Sequence, residues 1–173
     1  MSGLLFDASG VTDLRFGTLF GEREEMKTFD HRLNDSWWAL RVALGLMPIV
    51  AGIDKYFNKL ADWGMYLSPY ATKVVPMSVP TFMHLVGIVE IVAGVIVLSR
   101  WTKIGSYIVM AWLIGIAANL VTTGMFYDLA VRDLEIAVGA FALSQLTVVR
   151  EESSLAVKEE GLITSSNFVK HSG

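Results

Sequence analysis

Four apolar blocks recur along the chain, separated by polar or aromatic stretches. Each is close to the roughly 20 residues of helix that a bilayer core takes to cross. The pattern predicts helices near Trp37–Tyr56, Val79–Leu98, Ile104–Val121 and Leu129–Val149. Asp35 or Ser36 stands where it can cap the first, and Trp37 and Trp38 suit a membrane interface. Pro80 falls in the first turn of the second, where a missing N–H costs little. The fourth has the least defined start, because Arg132, Asp133 and Glu135 cluster there. The expected fold is all-α, a four-transmembrane-helix bundle.

The remaining stretches divide the chain into a polar segment over residues 1–36, a membrane domain over 37–149 and a polar tail over 150–173. The first segment lacks a basic start, an apolar core and a small-residue cleavage site, so the first apolar block reads as an uncleaved anchor. The tail shows no strong periodicity and is expected to be disordered or held by a partner. Between the first two helices, Phe57–Met77 is rich in tyrosine and proline. Within it DWGMYLSPY reads equally as a short helix in the headgroup layer and as a loop with interfacial aromatics.

Composition supports the membrane reading. Hydrophobic residues make up 53% and charged residues 18%, the latter below the roughly 25% of soluble domains. With a net charge of −3 and no basic run, the chain is not built to neutralise nucleic-acid phosphates. The absence of cysteine excludes disulfides, thiol–quinone chemistry, iron–sulfur clusters and thiolate zinc sites. Four spans put both termini on one side, with Arg15, Arg23, Lys27, Arg32, Arg100, Lys103, Arg150, Lys158 and Lys170. The other side holds Lys55, Lys59, Lys73 and Arg132. The positive-inside rule then predicts cytoplasmic termini and a multi-pass protein of the cytoplasmic (inner) membrane.

The candidate chemistry lies in the few polar residues of the spans. Glu90 sits in LVGIVEIVAG, residues 85–94, where a charge costs at least about 2.5–3.5 kcal/mol. Arg41 is the expected partner, since the two positions differ in depth by about 6 Å at the helical rise. Arg41, Pro48, Gly52 and Lys55 form one helix stripe, and Met83, Gly87, Glu90 and Gly94 a second. Gly105, Ile108, Trp112, Gly115 and Asn119 form a third, and Arg132, Glu135, Gly139 and Ala142 a fourth. Small residues of this kind let membrane helices approach while polar groups bond across. An Arg41–Glu90 clamp and a proton or ligand site at Glu90 both fit.

A second polar group gathers towards the outer surface: Asp54, Lys55, His84, Asn119, Arg132 and Glu135. It suits either a pocket for a quinone ring or lipid headgroup, or a network capping helix ends. His84 is the only histidine in a span, which excludes a haem held by two histidines of this chain; the expected role is that of a hydrogen-bonded structural residue, and a single-ligand pigment or haem at a subunit boundary is the lesser alternative. There is no Glu-x-x-His pair for a di-iron site, and no metal is expected.

Three segments carry a family resemblance: LRVALGLMPIVAGIDKYFN, LVGIVEIVAGVIVLSRWTKIGS and RDLEIAVGAFALSQL. Their arginine, glycines and closing lysine, the mid-helix glutamate before a basic turn, and the Arg–Glu opening of helix 4 resemble the DoxX-like family of small four-helix membrane proteins. The resemblance spans about residues 37–149. It implies association with membrane redox systems, and it marks Arg41, Lys55, Glu90, Arg132 and Glu135 as positions of interest. The expected role is a non-catalytic accessory subunit of a membrane redox or energy-converting complex. Its expected neighbours are membrane lipids and other integral membrane subunits. The alternatives are a self-contained quinone-linked oxidoreductase and a small-metabolite transporter, each using Glu90.

Overall fold

A computed structural model describes residues 8–74 and 76–171. Among the described residues every regular element is helical: α1 (Ala8–Asp54), a 3₁₀ turn (Trp63–Tyr66), α2 (Pro69–Val74), α3 (Val79–Leu98), α4 (Thr102–Thr123) and α5 (Tyr127–His171). The chain divides into two compact units, Met1–Ser36 and Trp37–Gly173. The first is helical from Ala8 onward. The second holds the bundle described below.

Local sequence explains where the inner helices begin and end. Ser78 caps α3 by accepting from the Thr81 N–H, with Pro80 in the first turn. Gly124 ends α4 in the left-handed conformation, at φ 74°, where a side chain would be strained. Three residues, Ser99–Trp101, join α3 to α4, and three more, Gly124–Phe126, join α4 to α5. Links this short make consecutive helices antiparallel neighbours.

The outer two helices run longer than the apolar pattern predicts. No cap forms at Asp35 or Ser36, and α1 continues through both. Between Gly21 and Gly45 there is no glycine or proline, and EREEMK supplies good helix formers. Likewise α5 does not stop at Val149 but extends to His171. Residues 140–160 contain no glycine or proline, and REESSLAVKEE is rich in helix formers, so a stretch without an apolar face is still helical.

Among the described residues three helical stretches are long and apolar enough to cross a membrane: His31–Asp54, Val79–Leu98 and Thr102–Thr123. The fourth expected span is helical, but its charge-free run is only Ile136–Val149, bracketed by Glu135 and Arg150.

The core is built of small and branched residues. Trp37 and Leu44 of α1, Ala93 and Val97 of α3, Val109 of α4, and Ala140 and Leu143 of α5 form one buried cluster. A second, towards the other end, joins Ala117, Leu120 and Ala130 beneath Tyr66 and Phe126. The outside remains apolar: Leu46, Val50, Val92, Val95 and Ile104 are all exposed. In water such a surface would aggregate, so these helices face lipid.

The register of α1 against α3 sets the geometry of the site. A Cβ on Gly52 would lie 2.5 Å from the Gly87 carbonyl oxygen, and one on Gly94 would collide with that of Gly45. Only glycine permits these two backbone approaches. The Arg41 guanidinium meets the Leu98 carbonyl oxygen at 2.6 Å. Arg41, Gly45 and Gly52 thus pair with Leu98, Gly94 and Gly87 in equal and opposite steps.

Candidate functional site

That register decides which cation meets Glu90. Glu90 stands level with Ile49, about 12 Å along the bundle from Arg41 at 1.5 Å per residue. Helix side chains tilt towards their own N-terminus. Lys55, at the end of α1, therefore leans towards Glu90, and Glu90 leans back towards Lys55. Arg41 leans the other way. The Lys55 Nζ donates to Glu90 Oε2 at 2.6 Å, and both side chains are buried, at 4% and 7% exposure.

The expected Arg41–Glu90 clamp is accordingly not formed. Arg41 instead closes the end of α3, donating from Nε to the Val97 carbonyl oxygen at 3.2 Å and from Nη2 to those of Leu98 and Ser99 at 2.6 and 2.7 Å. These are carbonyls that a helix end leaves without an intrahelical partner. The guanidinium also stacks near Trp37 and Trp38, with Arg150 on Trp37 as well. Trp37 itself is buried and donates from Nε1 to Thr147 at 2.8 Å, tying α1 to α5.

Beside the Lys55–Glu90 pair lies a cavity of about 530 Å³. Leu67, Phe82, Val86, Ile116, Leu120 and Leu129 give it mainly apolar walls. Its polar side chains are Lys55, Glu90, Asn119, Asp133, the phenol of Tyr66 and the indoles of Trp63 and Trp112. Trp63 forms part of the rim, with the Lys55 ammonium 3.8 Å from its ring centroid. Nothing lies within 4 Å of a Cβ built on Gly115, another lining residue, so its missing side chain helps keep the space open.

The polar partners divide into satisfied and unsatisfied groups. Asn119 accepts from the Ser68 N–H at 3.1 Å and donates to the Tyr66 carbonyl oxygen at 2.7 Å, so it fastens the 3₁₀ turn to α4. DWGMYLSPY is thus the 3₁₀ turn and the start of α2, held to the bundle by its backbone. Asp54 accepts from the Lys59 and Leu60 N–H groups and from Trp63 Nε1, which folds the segment after α1 under the cavity rim. The Trp112 Nε1–H is buried without a hydrogen bond; the Glu90 carboxylate is near enough to feel it, but bonding geometry is not reached. Asp133 lines the cavity and feels the charge of Glu90, and it makes no ion pair or hydrogen bond among the described residues.

The outer polar cluster therefore forms only in part. Lys55 and Asn119 line the cavity, and Asp54 supports its rim. His84, Arg132 and Glu135 are exposed and outside it. The His84 ring stacks on Tyr56 at 4.5 Å, and the Tyr56 hydroxyl donates to the His84 carbonyl oxygen. No metal-ligating group of three or more His, Cys, Asp or Glu side chains occurs among the described residues.

The structure adds Asp133 and Trp112 to the site. The fourth stripe, through Arg132 and Glu135, is not the buried face of α5. The inward face runs through Ala130, Asp133, Ala137, Ala140, Ser144 and Thr147, all buried or half-buried. Its small residues at helical spacing were the available signal, and they carry Asp133 inward with them.

Comparison with known proteins supports this architecture. The DoxX family model matches residues 36–124, which is 89 of the 173 residues. The match takes in Gly45, Gly52, Gly87 and Gly94, with Arg41, Lys55 and Glu90, and ends before α5, so Asp133 lies outside it. No curated protein and no solved structure matches the chain. With a multi-pass set of apolar helices and a family match over half its length, this chain belongs to the DoxX family.

Proposed function

We propose that the chain holds one largely apolar small molecule inside its bundle, with the polar head of that molecule at the Lys55–Glu90 end of the cavity. The head is of the quinone or lipid class. In this reading the protein is a non-catalytic accessory subunit of a larger redox complex in the cytoplasmic membrane. The observation that carries the proposal is the cavity of about 530 Å³ beside a buried ion pair. Ligand sites are commonly about 300–1,000 Å³, apolar, with a few placed polar groups. Four crossings, with α5 as the fourth, complete the picture.

The ion pair also weighs against the alternatives that use Glu90. A carboxylate already held by Lys55 is a poor free proton carrier, and a transporter needs a water path through the bundle. The accessory role draws further support from the DoxX match and from an apolar exterior broad enough for neighbouring subunits.

Titration with a short-chain quinone in both its oxidised and its reduced, dihydroxy form tests the binding claim, because Trp63 and Trp112 line the cavity and report on it by fluorescence, and saturation by either form counts as binding. A saturable quench is expected in the purified chain, and its loss in Gly115→Phe, which fills the open space. Absence of saturable quenching, or equal quenching in the variant, overturns the reading. The subunit claim predicts a larger assembly on isolation in mild detergent. A lone chain with redox activity of its own contradicts it.

A further inference from the structure

The cavity presents an unusual set of polar groups. Lys55 and Glu90 neutralise each other at 2.6 Å and leave no net charge between them. Asp133 adds a second carboxylate that has no hydrogen bond or ion pair among the described residues. Its sequence neighbour Arg132 attracts it through space but is exposed and does not line the cavity. Trp112 adds one buried N–H donor that lies close to the Glu90 carboxylate without reaching hydrogen-bond geometry. The site thus offers a free acceptor and a free donor in apolar surroundings, where each unmet group is costly.

We infer that the ligand's head is a neutral hydroxyl, donating to the Asp133 carboxylate and accepting from the Trp112 Nε1–H. A hydroxyl is a donor and an acceptor on one atom, and it satisfies both groups. A carbonyl or ether oxygen only accepts, so it serves Trp112 and leaves Asp133 unmet. A carboxylate or phosphate head meets Asp133 and Glu90 as a third negative charge, with Lys55 the one cation among the lining residues. The cavity therefore selects against anionic amphiphiles, which removes free fatty acids and phosphate-headed lipids from its ligand classes. Discrimination of this kind is characteristic of sites with buried polar groups that only one analogue can pair. The inference rests on the reading of the cavity as a ligand site.

Three probes of similar size separate the chemistries: 4-nonylphenol, its methyl ether 4-nonylanisole, and decanoate. Binding is measured by equilibrium dialysis between nanodiscs that carry the full chain and empty nanodiscs, which corrects for partition into lipid. The phenol is expected to bind about tenfold more tightly than the ether, which is worth about 1.4 kcal/mol, and decanoate least. Asp133→Leu is expected to lower phenol binding to the level of the ether and leave the ether unchanged. Trp112→Phe is expected to weaken phenol and ether alike. The wild-type order of the three probes stands as a test even if a variant fails to fold. Equal binding of phenol and ether, or tighter binding of decanoate, overturns the hydroxyl assignment while the cavity reading survives. If no probe binds above empty nanodiscs, both fall.

Discussion

Lys55 donates to Glu90 across 2.6 Å because α1 and α3 run antiparallel and each side chain tilts towards the other. Neither charge is exposed to water. Removing one partner strands the other, at a cost of about 3–5 kcal/mol for a buried pair, whereas replacing both with apolar residues is often near neutral. Lys55→Met and Glu90→Gln are each expected to lower thermal stability in detergent, with the double variant Lys55→Met/Glu90→Met recovering much of the loss. Couplings in membrane interiors run smaller, about 0.6 kcal/mol on average in one protein, so the double-mutant cycle is the decisive quantity. Additive losses would mean that the two residues are not paired.

Arg41 belongs to a different arrangement. It satisfies three carbonyls at the end of α3, and hydrogen bonds that involve a charged group contribute about 1.5–3 kcal/mol each net of water, less where solvent reaches the half-buried guanidinium. Arg41→Met is expected to lower stability, and Arg41→Lys to recover little of it, since an ammonium cannot span three carbonyls as the guanidinium fork does. A cycle between Arg41→Met and Glu90→Gln should show additivity. Coupling between them would restore the clamp that the sequence suggested.

The glycines separate packing from ligand space. Gly52→Ala and Gly87→Ala each place a Cβ 2.5 Å from a facing backbone oxygen, and overpacking of this kind costs about 1–3 kcal/mol. Gly115→Ala meets nothing within 4 Å and should cost no more than a helical glycine-to-alanine change, which is neutral or mildly stabilising. Melting curves of the three single variants check the order. An unaffected Gly52→Ala would show that the close approach of α1 and α3 is absent in the membrane.

The apolar pattern carried the inner part of the fold. Val79–Leu98 is the predicted second helix to the residue, because Ser78 and Pro80 mark its start and Arg100 interrupts the apolar run just past its end. The outer helices were harder to read, since hydrophobicity reports lipid-facing length and α1 and α5 continue through polar residues of high helix propensity. The site was half legible. Glu90 was plain as a lone carboxylate in an apolar helix, and Lys55 lay on the stripe that faces it. Its partner was misassigned because depth was counted from helix ends, whereas the contacts of Gly45 and Gly52 fix the register and side-chain tilt decides the reach. Asp133 was hidden among three neighbouring charges, of which only the one in phase with the alanines turns inward.

The membrane arrangement has its own check. Nine basic residues on one side against four on the other predict cytoplasmic termini if α5 is the fourth crossing. Reporters fused at the C-terminus and within Phe57–Met77 should lie on opposite sides of the membrane, with the C-terminus cytoplasmic. Finding them on the same side would remove α5 from the membrane-spanning set.

The most direct test of the ligand cavity is native mass spectrometry of the chain released from its own membrane. The account predicts a resolved peak for the chain plus one small, apolar molecule, and loss of that peak in Gly115→Phe with the fold retained. A chain that carries no bound molecule, or one whose bound molecule persists unchanged in Gly115→Phe, would contradict it.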